Sequence, residues 1–165
     1  MPTPTFMAAI EAASAIPDEK LARQVTHSIC NNRDWYGAVK AFHALYDCPD
    51  DTAIGTTRDM SHMTEDRLQL RLGLIEEEFD RELRPAVAKR DIVETADALG
   101  DIIYVVVGFA LELGVDLDAV IGEIQASNMT KLGADGQVTR REDGKVLKGP
   151  NYVKPDIAKV LRFRD

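Results

Sequence analysis

The sequence has few of the features that mark secreted or membrane-bound proteins. Only two cysteines, Cys30 and Cys48, occur among 165 residues, and they form no CxxC pair, so we expect reduced thiols rather than a disulfide framework. The first twenty residues lack the basic region and apolar core of a signal peptide. The longest apolar run, residues 102–111, is too short to span a bilayer. We therefore predict a cytoplasmic protein with no membrane partner.

Basic residues are in the minority. Lys and Arg number 20 against 28 Asp and Glu, which gives a net charge of −8 and a pI of about 4.9. Binding of a nucleic acid polymer through a general basic face is therefore not expected. A single nucleotide is not excluded, because bound metal ions let acidic side chains hold phosphates.

Strand-like alternation is almost absent, and helical periodicity dominates. The pattern predicts an all-α, antiparallel helical bundle. Helices are expected over residues 18–32, 35–46, 64–84, 91–113 and 116–133. Pro85 should weaken or end the long helix at residue 84, Gly114 should close the next one, and Pro155 should precede a last short helix. The "DG" pairs of the Gly- and Lys-rich tail indicate a small hairpin over residues 138–147.

Two glutamates of the long predicted helix fall at the edge of its apolar face. At 100° per residue, the core-facing stripe consists of Leu68, Leu72, Ile75, Phe79 and Leu83. Glu78 and Glu82 lie one turn apart at the edge of this stripe, on the row of Arg71. Glu77 points nearly the opposite way, toward solvent. A solvated charged face with i,i+4 partners is the alternative for any such acidic run.

The next helix carries a narrow line of acids beside its most apolar stretch. Glu94, Asp97 and Asp101 form this line, and beyond Asp101 nearly every direction around the helix is apolar. We therefore expect Asp101 to be at least partly buried, where an isolated carboxylate is costly. Protonation, a basic partner or a metal ion would each offset that cost. A salt bridge to Arg71 or Arg81 is the purely structural alternative.

The two acidic helices should pack against each other. A short connection, residues 85–91, joins them, so an antiparallel arrangement is expected. Glu78 and Glu82 would then oppose Asp97 and Asp101. Arginine alone would hardly neutralise about four carboxylates, and hard oxygen ligands in this number suit Mg²⁺ or Mn²⁺. The sequence therefore predicts a metal site between the two helices.

Four segments resemble the all-α nucleotide pyrophosphohydrolase superfamily: "LIEEEFDREL", "DALGDIIYVVVGFALELGVD", "SNMTKL" and "REDGKVLKGPNYVKPDI". That group includes MazG, phosphoribosyl-ATP pyrophosphohydrolase and dimeric dUTPase. The resemblance is greatest to the MazG-like branch of bacteria and phages, often described as phosphoribosyl-ATP pyrophosphohydrolase-like, which implies a bacterial or phage-infected cytosol. It covers about residues 35–161. We therefore divide the chain into an N-terminal helical extension, residues 1–34, and a MazG-like domain, residues 35–165.

The chain departs twice from the superfamily pattern, which is ExxE on one helix and ExxD on the next. Glu78 is followed by Arg81 at the third position and by Glu82 at the fourth. Counting back from Asp101, the third residue is an alanine and the fourth is Asp97. An i,i+4 spacing still places both carboxylates of each pair on one face.

The resemblance implies cleavage of a nucleoside triphosphate between its α and β phosphates, which yields a monophosphate and pyrophosphate. It implies two or three Mg²⁺ or Mn²⁺ ions, held by Glu78, Glu82, Glu94, Asp97 and Asp101. Glu77 or Glu78 would activate the attacking water, with a weak preference for Glu77.

The substrate-binding set is expected to combine cations, an amide and aromatic rings. Lys131, Lys145 and Lys148 would neutralise phosphate charge as point cations, and Arg71 could do the same. Asn128 would contact the sugar or base edge, and Trp35 and Tyr152 would stack on the base. A solvated surface lysine, a helix cap and a core aromatic are the respective alternatives.

Three readings of the function compete with the leading one. Purine deoxynucleotides, dGTP or dATP, are the plausible substrates, and dUTP, dCTP or a house-cleaning set of nucleotides is the rival. A phosphatase that removes one phosphate at a time from dNTPs, and a non-catalytic helical interaction module, are the other two. Because one chain offers few helices to cover the acidic layer, we also expect a homodimer or homotetramer.

Overall fold

The computed structural model describes residues 4–30, 34–52, 56–57, 59–132 and 137–162. Within these ranges the chain is helical and has no strand, as the sequence predicts. The helices are α1 (Pro4–Ser14), α2 (Glu19–Cys30), α3 (Trp35–Leu45), α4 (Glu65–Glu76), a π-helical segment (Glu77–Leu83), α5 (Arg84–Lys89), α6 (Ile92–Glu112), α7 (Leu117–Met129) and α8 (Ile157–Val160). The chain divides into two compact units, Met1–Val115 and Asp116–Asp165. The domain boundary that we placed after residue 34 stays a prediction.

Local capping residues determine where most helices begin and end. The Asp91 carboxylate accepts hydrogen bonds from the N–H groups of Val93 (3.0 Å) and Glu94 (3.2 Å), and so caps the start of α6. Gly114 closes the same helix with φ of 65°. Its N–H bonds to the Leu111 carbonyl at 3.1 Å, the arrangement that favours glycine at this position. The predicted bounds of α6 are therefore confirmed to within a residue.

Pro85 weakens the long helix without ending it, the milder of the two outcomes that we expected. The N–H of Arg84 bonds to the carbonyl of Phe79, five residues back rather than four. This wider turn changes the hydrogen-bond register next to Pro85, which has no N–H to donate, so the helix continues. It ends at Arg90, which adopts a left-handed conformation with φ of 56°.

The core of the first unit forms where α3, α4 and α6 meet, and α1 and α2 pack onto it through α3. The predicted apolar stripe of the long helix is wrong at two positions, because Leu72 and Phe79 are 44% and 42% exposed. Arg71 is the buried residue of α4 instead. The helix therefore turns the row that contains Arg71 and Glu78 toward α6, rather than the row of its largest apolar side chains.

The apolar run of α6 is buried only in its second half. Val107, Ala110 and Leu111 are buried under α3 and α4, whereas Ile103 is 43% exposed. In the part of the chain that the structure describes, no single helix is long and apolar enough to cross a membrane. Among the described residues, only α6 and α7 taken together have the required length and composition.

The second unit contains α7, α8 and the turn that precedes α8. One antiparallel bridge joins Arg140 and Val146, and the N–H of Arg141 bonds to the Lys145 carbonyl at 2.8 Å. The segment for which we predicted a hairpin is therefore a tight turn closed by a single bridge. α7 ends at Met129, and Gly133, where we expected its end, lies outside the described residues.

Candidate active site

Carboxylates of two helices influence one another where the π-helical segment packs against α6. Burial raises the pKa of Glu78, and the negative charges of Asp101, Glu82, Glu77 and Asp97 raise it further, in that order. Charges act on one another in this way only when they are close. The structure thus places the acids of the two helices opposite each other.

Asp101 is exposed in the isolated chain, not buried as we expected. Neither of the proposed basic partners neutralises it, because Arg71 pairs with Glu112 and Arg81 lies 3.6 Å from Glu77. Among the described residues, no ion pair involves Glu78 or Asp101.

The carboxylate oxygens of this cluster are suitable ligands for a hard divalent cation. Their side chains, however, are not positioned around a common centre. In the described ranges, no three His, Cys, Asp or Glu side chains are close enough to hold a metal ion. Carboxylates of like charge repel one another without a cation between them. Glu82, Asp97 and Asp101 are exposed, so their side chains have room to turn inward. Oxygen ligands from two facing helices are those that Mg²⁺ and Mn²⁺ prefer.

Residues 50–128 match the family model of phosphoribosyl-ATP pyrophosphohydrolase. Residues 50–128 therefore form a domain of the MazG-like all-α NTP pyrophosphohydrolase superfamily. The matched region contains both acidic helices and ends at Asn128. The family description identifies the matched region as a pyrophosphohydrolase domain, which hydrolyses nucleotides that contain a pyrophosphate linkage. No curated protein matches the chain.

Two further acids of the pyrophosphohydrolase domain lie at the margin of the cluster. Glu77 is exposed on the outer side of the helix beside Arg81, as our projection indicated. Glu94 is exposed in the first turn of α6 and is not among the strongest influences on the pKa of Glu78. It stands three residues before Asp97, which is the ExxD spacing that we did not find before Asp101.

A buried charged cluster, which sequence reasoning missed, lies two turns from Glu78. Glu112 is 1% exposed and accepts hydrogen bonds from Arg67, whose Nε lies 2.7 Å from Oε2, and from Nη2 of Arg71. Burial raises the pKa of the Glu112 carboxyl, but the two arginines lower it more, so it lies below its usual range. Arg71, expected to contact phosphate, is therefore engaged inside the fold.

His43 completes this cluster. Its Nδ1 lies 2.6 Å from the Pro49 carbonyl, which can only accept, so Nδ1 carries the proton. Nε2 is then free to accept from Nη2 of Arg71 at 3.2 Å. Burial lowers the pKa of His43. A Cβ on Gly108 would lie 3.0 Å from both Arg71 and His43, so the glycine leaves room for the guanidinium.

The second unit brings several predicted substrate-binding residues together. The Lys148 ammonium lies 4.4 Å from the centre of the Tyr152 ring. A hydrogen bond from Ser127 lowers the pKa of Tyr152, and the charges of Lys148 and Lys131 lower it further. Lys145 is exposed in the turn before this group, and Asn128 is half-buried in the last turn of α7. Contact of these residues with substrate stays a prediction.

Gly149 allows the segment that contains Lys148 to pack close to Lys131. Its N–H bonds to the Lys131 carbonyl at 3.1 Å. A Cβ at this position would lie 2.3 Å from the carbonyl oxygen of Leu132, a distance that backbone cannot accommodate. Only glycine therefore allows the "KGPNY" segment to pack this closely against the end of α7.

Trp35 lies at the start of α3 and is 59% exposed. It borders a cavity of about 320 Å³ together with Gly100 and Tyr104 of α6. Gly100 precedes Asp101 in the chain, so this aromatic ring faces the same helix as the acids. Its role in base stacking stays a prediction.

Proposed function

We propose that the chain is a divalent-metal-dependent nucleoside triphosphate pyrophosphohydrolase that cleaves between the α and β phosphates. The observation that carries this proposal is the opposed set of carboxylates, Glu78 and Glu82 against Asp97 and Asp101, inside the family-matched region. An uncompensated cluster of this kind lowers stability without a cation. Its presence is accounted for if Mg²⁺ or Mn²⁺ binds there.

The residues divide the chemical work between them. When bound, two or three divalent ions would draw charge from the phosphate oxygens and lower the pKa of a coordinated water. Glu82, Glu94, Asp97 and Asp101 would supply oxygen ligands. Glu78 is best placed to accept a proton from the attacking water, because it lies among these acids and its pKa is raised toward neutrality. Glu77, beside Arg81, is the second candidate for this role.

The leaving pyrophosphate carries negative charge that basic residues would stabilise. We assign this role to Lys131 and Lys148, with Lys145 as a further cation, because point charges suit phosphate oxygens. Tyr152 and Asn128 would contact the sugar or base. Purine deoxynucleotides are the substrates that we propose, and dUTP or dCTP is the rival class.

Product analysis tests the reaction directly. The protein is incubated with Mn²⁺ and each common NTP and dNTP, and products are resolved by phosphorus NMR. We expect monophosphate and pyrophosphate in equal amounts, and neither when the metal is chelated. Diphosphate with inorganic phosphate would show the stepwise phosphatase instead. No product from any nucleotide would favour the non-catalytic interaction module.

A further inference from the structure

A second cavity of the first unit, of about 330 Å³, lies beside the acid cluster. We call it the arginine cavity; its walls include Val39, Phe42, His43, Arg67, Arg71 and Tyr104. Arg71 precedes Glu78 by seven residues, two helical turns or about 10 Å along the axis. Tyr104 follows Asp101 by three residues, one turn along α6. The cavity therefore begins one turn from the acids. This separation is similar to the distance between the base and the phosphates of a nucleotide.

The aromatic walls of the arginine cavity suit a planar ring. The rings of Phe42 and Tyr104 are 5.6 Å apart between centroids and nearly perpendicular, at 87°. Phe42 is 40% and Tyr104 38% exposed, so neither ring is fully used by the core. Aromatic faces and edges presented in this way favour stacking partners.

The polar wall of the cavity has more donors than acceptors. Two guanidinium groups, each with five N–H donors, share the single carboxylate of Glu112. His43 adds one acceptor and no charge, because its proton is on Nδ1. The Nε of Arg71 is buried without a hydrogen-bond partner among the described residues. One positive charge and several donors therefore remain for a ligand that brings acceptors.

We propose that the arginine cavity receives the base of the nucleotide and selects a keto oxygen over an amino group at the edge that faces Arg71. The inference rests on the proposed function, since it takes a nucleotide as the ligand. A keto oxygen accepts from a guanidinium, as guanine does from arginine in DNA recognition. An amino group would instead set donor against donor beside a positive charge. A site that hydrogen-bonds one group rejects the analogue that lacks it.

Nucleotide pairs in which a keto oxygen replaces an amino group, with the accompanying proton on the adjacent ring nitrogen, test the selection. We compare kcat/KM for dITP with dATP, and for dUTP with dCTP, and expect the keto member to be favoured at least about tenfold. In Arg71→Gln the amide both donates and accepts, so the ratios should fall toward one while Mn²⁺ still raises the melting temperature. Arg23→Gln, the same substitution at an exposed guanidinium of α2 outside the cavity, should leave the ratios unchanged.

A binding measurement on the unaltered protein covers the case in which Arg71→Gln does not fold. Calorimetric titration should show dIMP binding more tightly than dAMP. Equal affinities, equal kcat/KM within each pair, or ratios that change in Arg23→Gln but not in Arg71→Gln, would each overturn the inference. Hydrolysis of all four triphosphates without discrimination leaves the proposed function intact. Tighter binding of dIMP with no hydrolysis of any triphosphate supports the cavity assignment and contradicts the proposed function.

Discussion

Glu78 is needed for the proposed function, but its ionised carboxylate lowers the stability of the metal-free protein. Its pKa is raised in the fold by burial and by neighbouring carboxylates, so the folded state holds this proton to higher pH than the unfolded chain does. Between the two pKa values the folded protein binds more protons, and its stability falls as the pH rises through that window. Above the window, the metal-free protein bears the full cost of the ionised carboxylate.

Glu78→Gln should therefore raise the melting temperature of the metal-free protein at pH 7 while it lowers pyrophosphate release by about 100-fold or more. Calorimetry in chelator and a coupled pyrophosphate assay measure the two effects. Glu76→Gln is the matched control, since Glu76 is exposed and is not among the strongest influences on the pKa of Glu78. A metal-free protein that is less stable after Glu78→Gln would contradict the assignment of Glu78 to a repulsive cluster.

The ionised carboxylate of Glu112 stabilises the fold, whereas that of Glu78 destabilises it. Its pKa is lowered by Arg67 and Arg71, so its contribution is present above its ordinary pKa and is lost as the pH falls through the lowered value. Glu112→Gln leaves two guanidinium groups without a counter-charge and should cost about 3–5 kcal/mol. Urea unfolding measures the change. Glu65→Gln, at the exposed start of α4, should change stability by less than about 0.5 kcal/mol.

Among the helices, the end of α5 carries backbone strain that one substitution should relieve. Arg90 has φ of 56°, and the N–H of Asp91 bonds to the Ala86 carbonyl at 3.0 Å, as at helix ends that usually carry glycine. Arg90→Gly should raise the free energy of unfolding by about 1 kcal/mol. Arg90→Ala keeps the strained side chain and should give no gain. Equal effects of the two substitutions in urea unfolding would show that charge, not backbone conformation, matters there.

Helix boundaries could be predicted because they depend on neighbouring residues. Asp91 and Gly114 act through bonds to groups within five residues, so the start and end of α6 followed from the sequence. The continuation of the helix past Pro85 could not be predicted in the same way, because a proline inside a regular α-helix normally kinks or ends it. The wider turn that accommodates Pro85 has no sequence signature of its own.

Contacts between helices were predicted less well than their bounds. The two acidic rows faced each other as expected, since a short connection forces antiparallel packing. The Arg71 cluster was missed because Glu112 lies 41 residues away, and a charged row on a helix normally faces solvent. Gly108 and Glu112, one turn apart in an otherwise apolar run, were the available signal.

At the scale of the whole molecule, several large apolar residues are left exposed. Ile92 is 77% and Val93 70% exposed, and Leu72 and Phe79 are also uncovered. Large apolar patches on a protein surface mark association sites, and a partner over α6 would also cover Asp101. We propose a homodimer or homotetramer, so light scattering should give at least twice the chain mass of 18.2 kDa. Val93→Glu should shift the mass toward the monomer, and an 18.2 kDa species before mutation would contradict the proposal.

Binding of Mn²⁺ tests the central claim most directly, namely that the facing carboxylates of the π-helical segment and α6 hold divalent ions. A thermal and calorimetric titration compares the unaltered protein with the double variant Asp97→Asn/Asp101→Asn. At a hundredfold excess over Kd, a bound ion should stabilise the unaltered protein by about 2.7 kcal/mol and the double variant hardly at all. No stabilisation of the unaltered protein at saturating Mn²⁺, or the same stabilisation in both proteins, would contradict the claim.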